Sequence, residues 1–279
     1  MTLSVVLITF NEEINLARTL ASVRRLVAEG KGEIIVVDSG STDRTIAIAE
    51  AHGARVFAED WKGYAAQKNS ALAKATGDWI LSLDADEEVD SQLAESIGHL
   101  LLGESKESVR DGVPRHQILV VASTTQGFYL RRKNYFLGRW IKRGGFWPDP
   151  KLRLFRRGMG HVPERAVHET FAVTGETRSL NQGALVHHSY PTLSDYLEHM
   201  NRYSSLGAGR AAANGQVGFS IANIVLRPLA TFFYNYVFRL GFLDGREGLL
   251  LHLYHSTYVS WKYAKAWEQS GKQGNQTNS

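Results

Sequence analysis

The sequence predicts an α/β fold with a mostly parallel central sheet flanked by helices and a C-terminal helical extension. Three observations predict it. Short β-branched apolar runs alternate with amphipathic stretches up to Gly103. Three of those runs end in polar, acid-containing loops. From Leu193 onward the apolar spacing becomes helical.

In order, Leu3–Thr9 (LSVVLIT) reads as a buried strand, followed by a loop at Phe10-Asn-Glu-Glu13. Leu16, Leu20, Val23 and Val27 recur at helical spacing, and Gly30 closes that helix. Glu33–Val37 is a second strand. It ends in Asp38-Ser-Gly-Ser-Thr-Asp43, a cluster suited to cap a helix over Arg44–His52. Ala54–Phe57 is a short third strand, and Gly63–Ala75 a helix carrying Gln67-Lys68-Asn69. Trp79–Leu83 is the central strand, and Val89–Leu102 the next helix. Gly103–Pro114 is polar and reads as a loop. His116–Ser123, Phe128–Arg131 and Lys151–Arg156 read as strands. Helices are expected at Asp195–Ala213, at Ile221–Leu240 with an interruption at Arg227-Pro228, and at Glu247–Trp267. The polar tail, Gln269–Ser279, is expected to be disordered. Four regions follow: 1–103, 104–191, 192–268 and 269–279.

The chemistry gathers where the central strand stops, at Asp84, Asp86, Glu87 and Glu88. Carboxylates are rarely buried unless paired or bound to metal. Oxygen ligands at such spacing suit a hard cation, Mg2+ or Mn2+, which completes its shell with phosphates and water. The competing reading is a turn of solvated acids. In open α/β sheets, ligands bind beyond the carboxyl ends of the strands. Asn11/Glu12, Asp38–Asp43 and Asp84/Asp86 would all face that crevice. No GxGxxG follows the first strand and no GxxxxGK[ST] occurs, which argues against a dinucleotide fold and a P-loop NTPase.

Composition narrows the classes further. The 279 residues, 43% hydrophobic, can bury a sizeable core. There is no cysteine, so disulfides and thiol chemistry are excluded. Met1–Val6 lacks the basic region of a secretory signal, and no apolar run approaches the ~18 residues of a spanning helix. Residues 131–157 hold ten Lys/Arg against one acid, Asp149, which points to an anionic partner. Tyr135, Phe136, Trp140, Phe146 and Trp147 lie among these cations. No nucleic-acid-reading module is recognisable, so no nucleic-acid partner is expected. The C-terminal helices mix aromatics with Arg227, Arg239, Lys262 and Lys265, which suits either a membrane interface or a packed helical subdomain.

Together Thr9-Phe-Asn-Glu-Glu13, Asp38-Ser-Gly-Ser-Thr-Asp43, Gln67-Lys-Asn-Ser-Ala-Leu72 and Asp84-Ala-Asp86 resemble family 2 glycosyltransferases of the GT-A (Rossmann-like) fold. Val167-His-Glu169, His187-His-Ser-Tyr190 and Gly241-Phe-Leu-Asp-Gly245 resemble the bacterial branch that builds lipopolysaccharide cores, including β-1,4-glucosyltransferase-like proteins. The resemblance implies a nucleotide-sugar donor, a UDP-sugar first among them, a divalent metal, Mg2+ or Mn2+, and inversion at the anomeric carbon. It implies an anionic inner-core glycolipid as acceptor. It also implies a cytoplasmic enzyme at the inner-membrane surface. Carried over by position, Thr9, Asn11, Glu12 and Asp38 would hold the nucleoside and Lys68 would lie near the diphosphate. Asp84 would touch the ribose or a metal-bound water, and Asp86 would ligate the metal. Glu169 matches the family base, with His168 as an orienting or packing neighbour. His187 or His188 is a candidate third metal ligand. Arg131, Arg132, Lys133, Trp147 and Arg153 are candidates for acceptor binding. The QxxRW motif of processive synthases is absent, so single sugar addition is expected. Two rival activities share such a sheet: a sugar-phosphate nucleotidyltransferase and a non-catalytic, membrane-associated nucleotide-sugar-binding protein.

Overall fold

A computed structural model of the chain describes residues 1–102, 124–163, 170–214 and 218–276. The expected loop at Gly103–Pro114 and strand at His116–Ser123 fall outside the described residues. The chain forms two compact units, Met1–Arg132 with Pro150–His187, and Lys133–Asp149 with His188–Ser279.

The first unit begins with β1 (Leu3–Thr9), α1 (Leu16–Val27), β2 (Gly32–Asp38), α2 (Thr45–Ala51), β3 (Arg55–Ala58), α3 (Tyr64–Ala73) and β4 (Trp79–Ser82). These are the alternating elements expected. Two elements follow, β5 (Glu87–Val89) and α4 (Ser91–Leu102). Later come β6 (Thr125–Phe136), whose last residues belong to the second unit, then β7 (Arg139–Trp140), which lies in the second unit, β8 (Lys151–Arg156), β9 (Gly160–His161), β10 (Ala172–Val173) and β11 (Glu176–Tyr190), whose last three residues belong to the second unit. Within the unit the strands are ordered β3-β2-β1-β4-β8-β6-β11-β5. The first four run parallel. β8 is antiparallel to β4 and to β6, and β5 is antiparallel to β11. The sheet is therefore mixed: parallel among β1–β4, with antiparallel pairings of β8 to β4 and β6 and of β5 to β11.

Side-chain alternation splits the apolar strands between two cores. Leu3, Val5 and Leu7 of β1, with Val36 and Leu81, pack with Leu16, Leu20 and Val23 of α1. Val6, Ile35, Val37 and Ile80 pack with Ala71 of α3. Burial on both faces explains why these strands read as continuous apolar runs.

β5 differs from expectation. Glu87-Glu88-Val89 pairs with Leu185–His187, and the helix starts at Ser91 rather than Val89. Asp90 sets that start. Its Oδ1 accepts from Leu93 N at 2.9 Å and its Oδ2 from Ala184 N at 3.0 Å. Gly183 lies against this turn at φ +72°, where a Cβ would sit 2.1 Å from Leu93 N, so only glycine fits.

The second unit contains α5 (Leu193–Ala213), α6 (Arg227–Phe233) and α7 (Gly245–Gln276). A capping box between Thr192 and Asp195 starts α5. The expected break at Arg227-Pro228 is absorbed: Pro228 sits in the first turn of α6, and π-helical turns at Ala222–Leu226 and Tyr234–Phe238 flank it. A 3-10 turn, Gly241–Asp244, leads into α7. No proline interrupts α7, which runs to Gln276, so residues 269–276 are helical where a disordered tail is expected. The basic-aromatic stretch 133–149 groups with these helices rather than with the rest of 104–191. Its Phe136 and Ile141 pack with Tyr196, Met200 and Leu251 in one apolar cluster.

His252 of α7 is buried at 1% exposure, and neither ring nitrogen has a hydrogen-bond partner among the described residues. Burial, with the neighbouring His255, pushes its pKa down from 6.5 to about 4, against a weaker opposing effect of Asp244. The unfolded chain therefore binds a proton that the folded chain refuses between these values, and stability falls as pH drops from about 6.5 to about 4. Urea titrations across that window are expected to lose about 3 kcal/mol from this ring. In His252→Leu the dependence is expected to flatten. Thr192→Ala is expected to cost about 1 kcal/mol in the same measurement, through the lost cap.

Candidate active site

The loops after β1 and β2 are tied together. Thr9 Oγ1 donates to Asp38 Oδ2 at 2.8 Å. Asp38 is fully buried and also accepts from Ser41 Oγ (2.6 Å), Gly40 N (3.0 Å) and Ser41 N (2.7 Å). Four donors thus occupy its two oxygens, and Asp38 organises its own loop. Asn11, at φ 53°, donates from its N to Ser41 Oγ and accepts from Thr42 N, each at 2.8 Å. Glu12 N donates to Thr45 Oγ1 at 2.7 Å. Burial, together with the negative charges of Asp86, Asp43 and Asp84, raises the Glu12 pKa against the hydrogen bond from Asn15.

Past β4, Asp84 and Glu87 close a turn. Glu87 N donates to the Asp84 carbonyl at 3.0 Å, and Asp84 N to Glu87 Oε2 at 3.1 Å. The acids are neutralised from three elements. Lys68 Nζ of α3 lies 2.8 Å from Asp84 Oδ1. Arg153 Nη2 of β8 pairs with Asp84 Oδ2 and lies 2.9 Å from Glu87 Oε1. Arg132 Nη1 of β6 lies 3.1 Å from the same Glu87 oxygen. Glu87 is fully buried. Burial alone would raise the Asp84 pKa, but Arg153 and Lys68 hold it well below the ordinary carboxylate range. Asp86 is free of that clamp. Its Oδ2 faces His187 Nε2 of β11 at 3.2 Å, and this neighbour lowers its pKa against the effect of burial.

Thr9, Asn11, Glu12, Asp38, Lys68, Asp84, Asp86 and His187 all lie within the first unit; Thr9 and Asp38 end the parallel strands β1 and β2, Asn11, Glu12, Asp84 and Asp86 follow β1 and β4, and Lys68 and His187 reach the acids from α3 and β11. Of the five expected acceptor residues, Arg131, Arg132 and Arg153 lie in the first unit and Lys133 and Trp147 in the second. Arg131 donates to the Gly183 carbonyl. Arg132 and Arg153 belong to the acid cluster, and Arg153 is buried. In the second unit, Lys133 Nζ sits 5.3 Å over the Trp140 ring, and Trp147 packs edge-on against Trp140 at 5.2 Å. His188, also in that unit, stacks on Tyr135. Glu169 and His168 lie outside the described residues.

Sequence reasoning missed the pairing of Glu87 with Arg132 and Arg153. A signal was present: Arg153 stands amid the apolar residues of KLRLFR, where an unpaired guanidinium would be costly.

Asp86, in the turn before β5, and His187 of β11 offer one hard oxygen and one imidazole nitrogen. Among the described residues no group of three His, Cys, Asp or Glu side chains is placed to hold a metal. A cation here would depend on ligands brought by a bound molecule, as Mg2+ and Mn2+ do at phosphate sites. The residues present fit such a cation.

Comparison with known proteins identifies the family. Residues 4–159 match the family described as Glycosyl transferase family 2. The chain is 29% identical over 274 residues to the lipopolysaccharide core biosynthesis glycosyltransferase LpsC of Rhizobium meliloti, covering 96% of this chain and 92% of that protein. It is 42% identical over 105 residues to an uncharacterised glycosyltransferase of Rickettsia felis, covering 38% of this chain and 36% of that protein. A mannosyltransferase from Pyrobaculum calidifontis, solved with GDP-Man and Mn2+, shares the fold at a TM-score of 0.53 and 15% identity, over 95% of this chain and 86% of that one. The match over 4–159 spans β1 through β8, including every loop that builds the acid cluster, and the chain belongs to glycosyl transferase family 2 as a glycosyltransferase of the GT-A fold.

Proposed function

We propose that the chain moves a hexose from a nucleoside-diphosphate donor, a UDP-sugar first among candidates, to a lipopolysaccharide inner-core glycolipid. The single observation that carries this reading is the β4 terminus. Asp84 is held ionised by Lys68 and Arg153, while Asp86 stands beside His187. The near full-length likeness to LpsC supports the acceptor class.

The roles follow from position. The loops of Asn11/Glu12 and Asp38–Asp43 form the nucleoside side of the site, and Asp38 keeps that wall in shape through its four hydrogen bonds. Asp84, locked by two cations, is a fixed acceptor for a ribose hydroxyl. Lys68 offers positive charge beside the diphosphate. Asp86 and His187 would hold a divalent cation, Mg2+ or Mn2+, which when bound neutralises charge on the leaving diphosphate. Glu169, by its place in the sequence, takes the proton from the acceptor hydroxyl. Attack from the face opposite the leaving group inverts the anomeric centre. The enzyme acts at the cytoplasmic face of the inner membrane.

Three outcomes test this reading. UDP-sugar with Mn2+ is expected to raise the melting temperature of the parent protein, and Asp86→Ala to abolish that gain while the chain still folds. Turnover by folded Asp86→Ala at the parental rate would overturn the metal assignment. Glu169→Gln is expected to keep donor stabilisation and lose at least about a hundredfold in transfer. Loss of donor stabilisation instead would remove Glu169 as base. Arg153→Met leaves a buried carboxylate short of a partner, and is expected to cost about 3 kcal/mol in urea unfolding.

A further inference from the structure

The second unit carries a surface that the donor site does not use. From Gly218 to Leu243 there is no Asp or Glu, and the segment exposes large apolar side chains along most of its described length. Leu226, Leu229 and Phe233 of α6 and its flanking turn are each at least half exposed. At the end of the segment Phe238 is 76% exposed and Leu243 51%, with Leu240 and Phe242 also exposed. Monomeric soluble proteins seldom leave so much apolar surface together without a partner.

A cation-bearing loop is tied by its backbone to the tip of this segment. The amides of Lys142 and Arg143 donate to Asp244 Oδ2 at 3.1 and 2.7 Å, which pins their loop beside the Gly241–Asp244 turn. Gly144 N donates to the Arg239 carbonyl at 3.0 Å, a second tie between loop and segment. Lys142, Arg143, Arg239 and Arg246 are all exposed. The acids close by are spoken for: Asp244 is buried against the two amides, and Glu247 is paired with Arg139 and Arg246.

An apolar tip tied to a cation-bearing loop selects its occupant. A second copy of this chain, docked face to face, would set like charges against each other. A nucleic acid would use the cations and leave the apolar tip in water. An anionic lipid surface satisfies both, with apolar side chains among the acyl chains and cations at the headgroups. None of the described helices is long and apolar enough to cross a membrane, so the contact would lie in the interface.

We propose that the Phe238–Leu243 turn inserts into a membrane interface while Lys142, Arg143 and Arg239 take the headgroups of anionic phospholipids. The exposed face of α6 extends the contact along the surface. This surface is independent of the donor site, and donor stabilisation serves as its control.

The test is co-sedimentation of the full chain with vesicles of phosphatidylcholine alone or mixed with phosphatidylglycerol. The parent is expected to bind the mixed vesicles, and to lose binding as salt is raised. Phe242→Ser with Leu243→Ser, and separately Lys142→Glu with Arg143→Glu, are each expected to weaken binding by at least about tenfold. Both variants are expected to keep the parental melting temperature and UDP-sugar stabilisation. Parental binding to phosphatidylcholine alone at equal strength would overturn the headgroup assignment. Undiminished binding by both variants, or no vesicle binding by the parent, would overturn the proposal. So would a dimer in sedimentation velocity that the Phe242→Ser, Leu243→Ser variant abolishes, since the surface would then serve a second copy.

Discussion

A carboxylate buried at the edge of a sheet has to be neutralised, and the end of β4 is built around that requirement. Glu87 is fully enclosed, with Arg132 and Arg153 on one of its oxygens. Arg153 reaches from there to Asp84, which Lys68 holds from the other side. The charges come from α3, the turn after β4, β5, β6 and β8, so the cluster fixes where these elements meet. Breaking one member leaves another buried and unpaired, which costs more than the pair contributes.

That constraint also sorts the two aspartates. Asp84 is spent on the clamp and stays ionised because Arg153 and Lys68 outweigh its burial. Asp86, one residue on from Ala85, escapes the clamp and faces His187. Two acids of the same type and spacing are thereby set to different tasks by which strand lies opposite each. A rigid, charge-balanced acceptor beside a less committed carboxylate–imidazole pair is a reasonable host for a diphosphate with its counter-ion.

Much of this architecture was legible in the chain. Parallel strands buried on both faces announce themselves as apolar runs, and their polar ends mark one edge of the sheet. Helices such as α1 followed from the spacing of Leu16, Leu20 and Val23. The pairing of strands distant in sequence was less legible. Glu87 and Arg153 are 66 residues apart, and no local pattern says they meet. Arg153 therefore read as one more cation in a basic stretch, although its neighbours Leu152 and Leu154 are core residues. Asp38 was similarly ambiguous. A Ser/Thr/Asp cluster after a strand suits ligand contact and loop-building alike, and the geometry shows its oxygens engaged by the loop. The grouping of 133–149 with the C-terminal helices depends on Phe136 and Ile141 packing beside α5 and α7, another contact between distant segments.

The central claim is that Asp86 and His187 capture a divalent cation alongside a nucleotide diphosphate. Electron paramagnetic resonance of Mn2+ added to the protein with UDP tests this most directly. The account predicts an immobilised Mn2+ with nitrogen hyperfine coupling from imidazole, and loss of that coupling in His187→Gln. Free, hydrated Mn2+ in the presence of UDP and the parent protein, or a nitrogen coupling unchanged in His187→Gln, would contradict it.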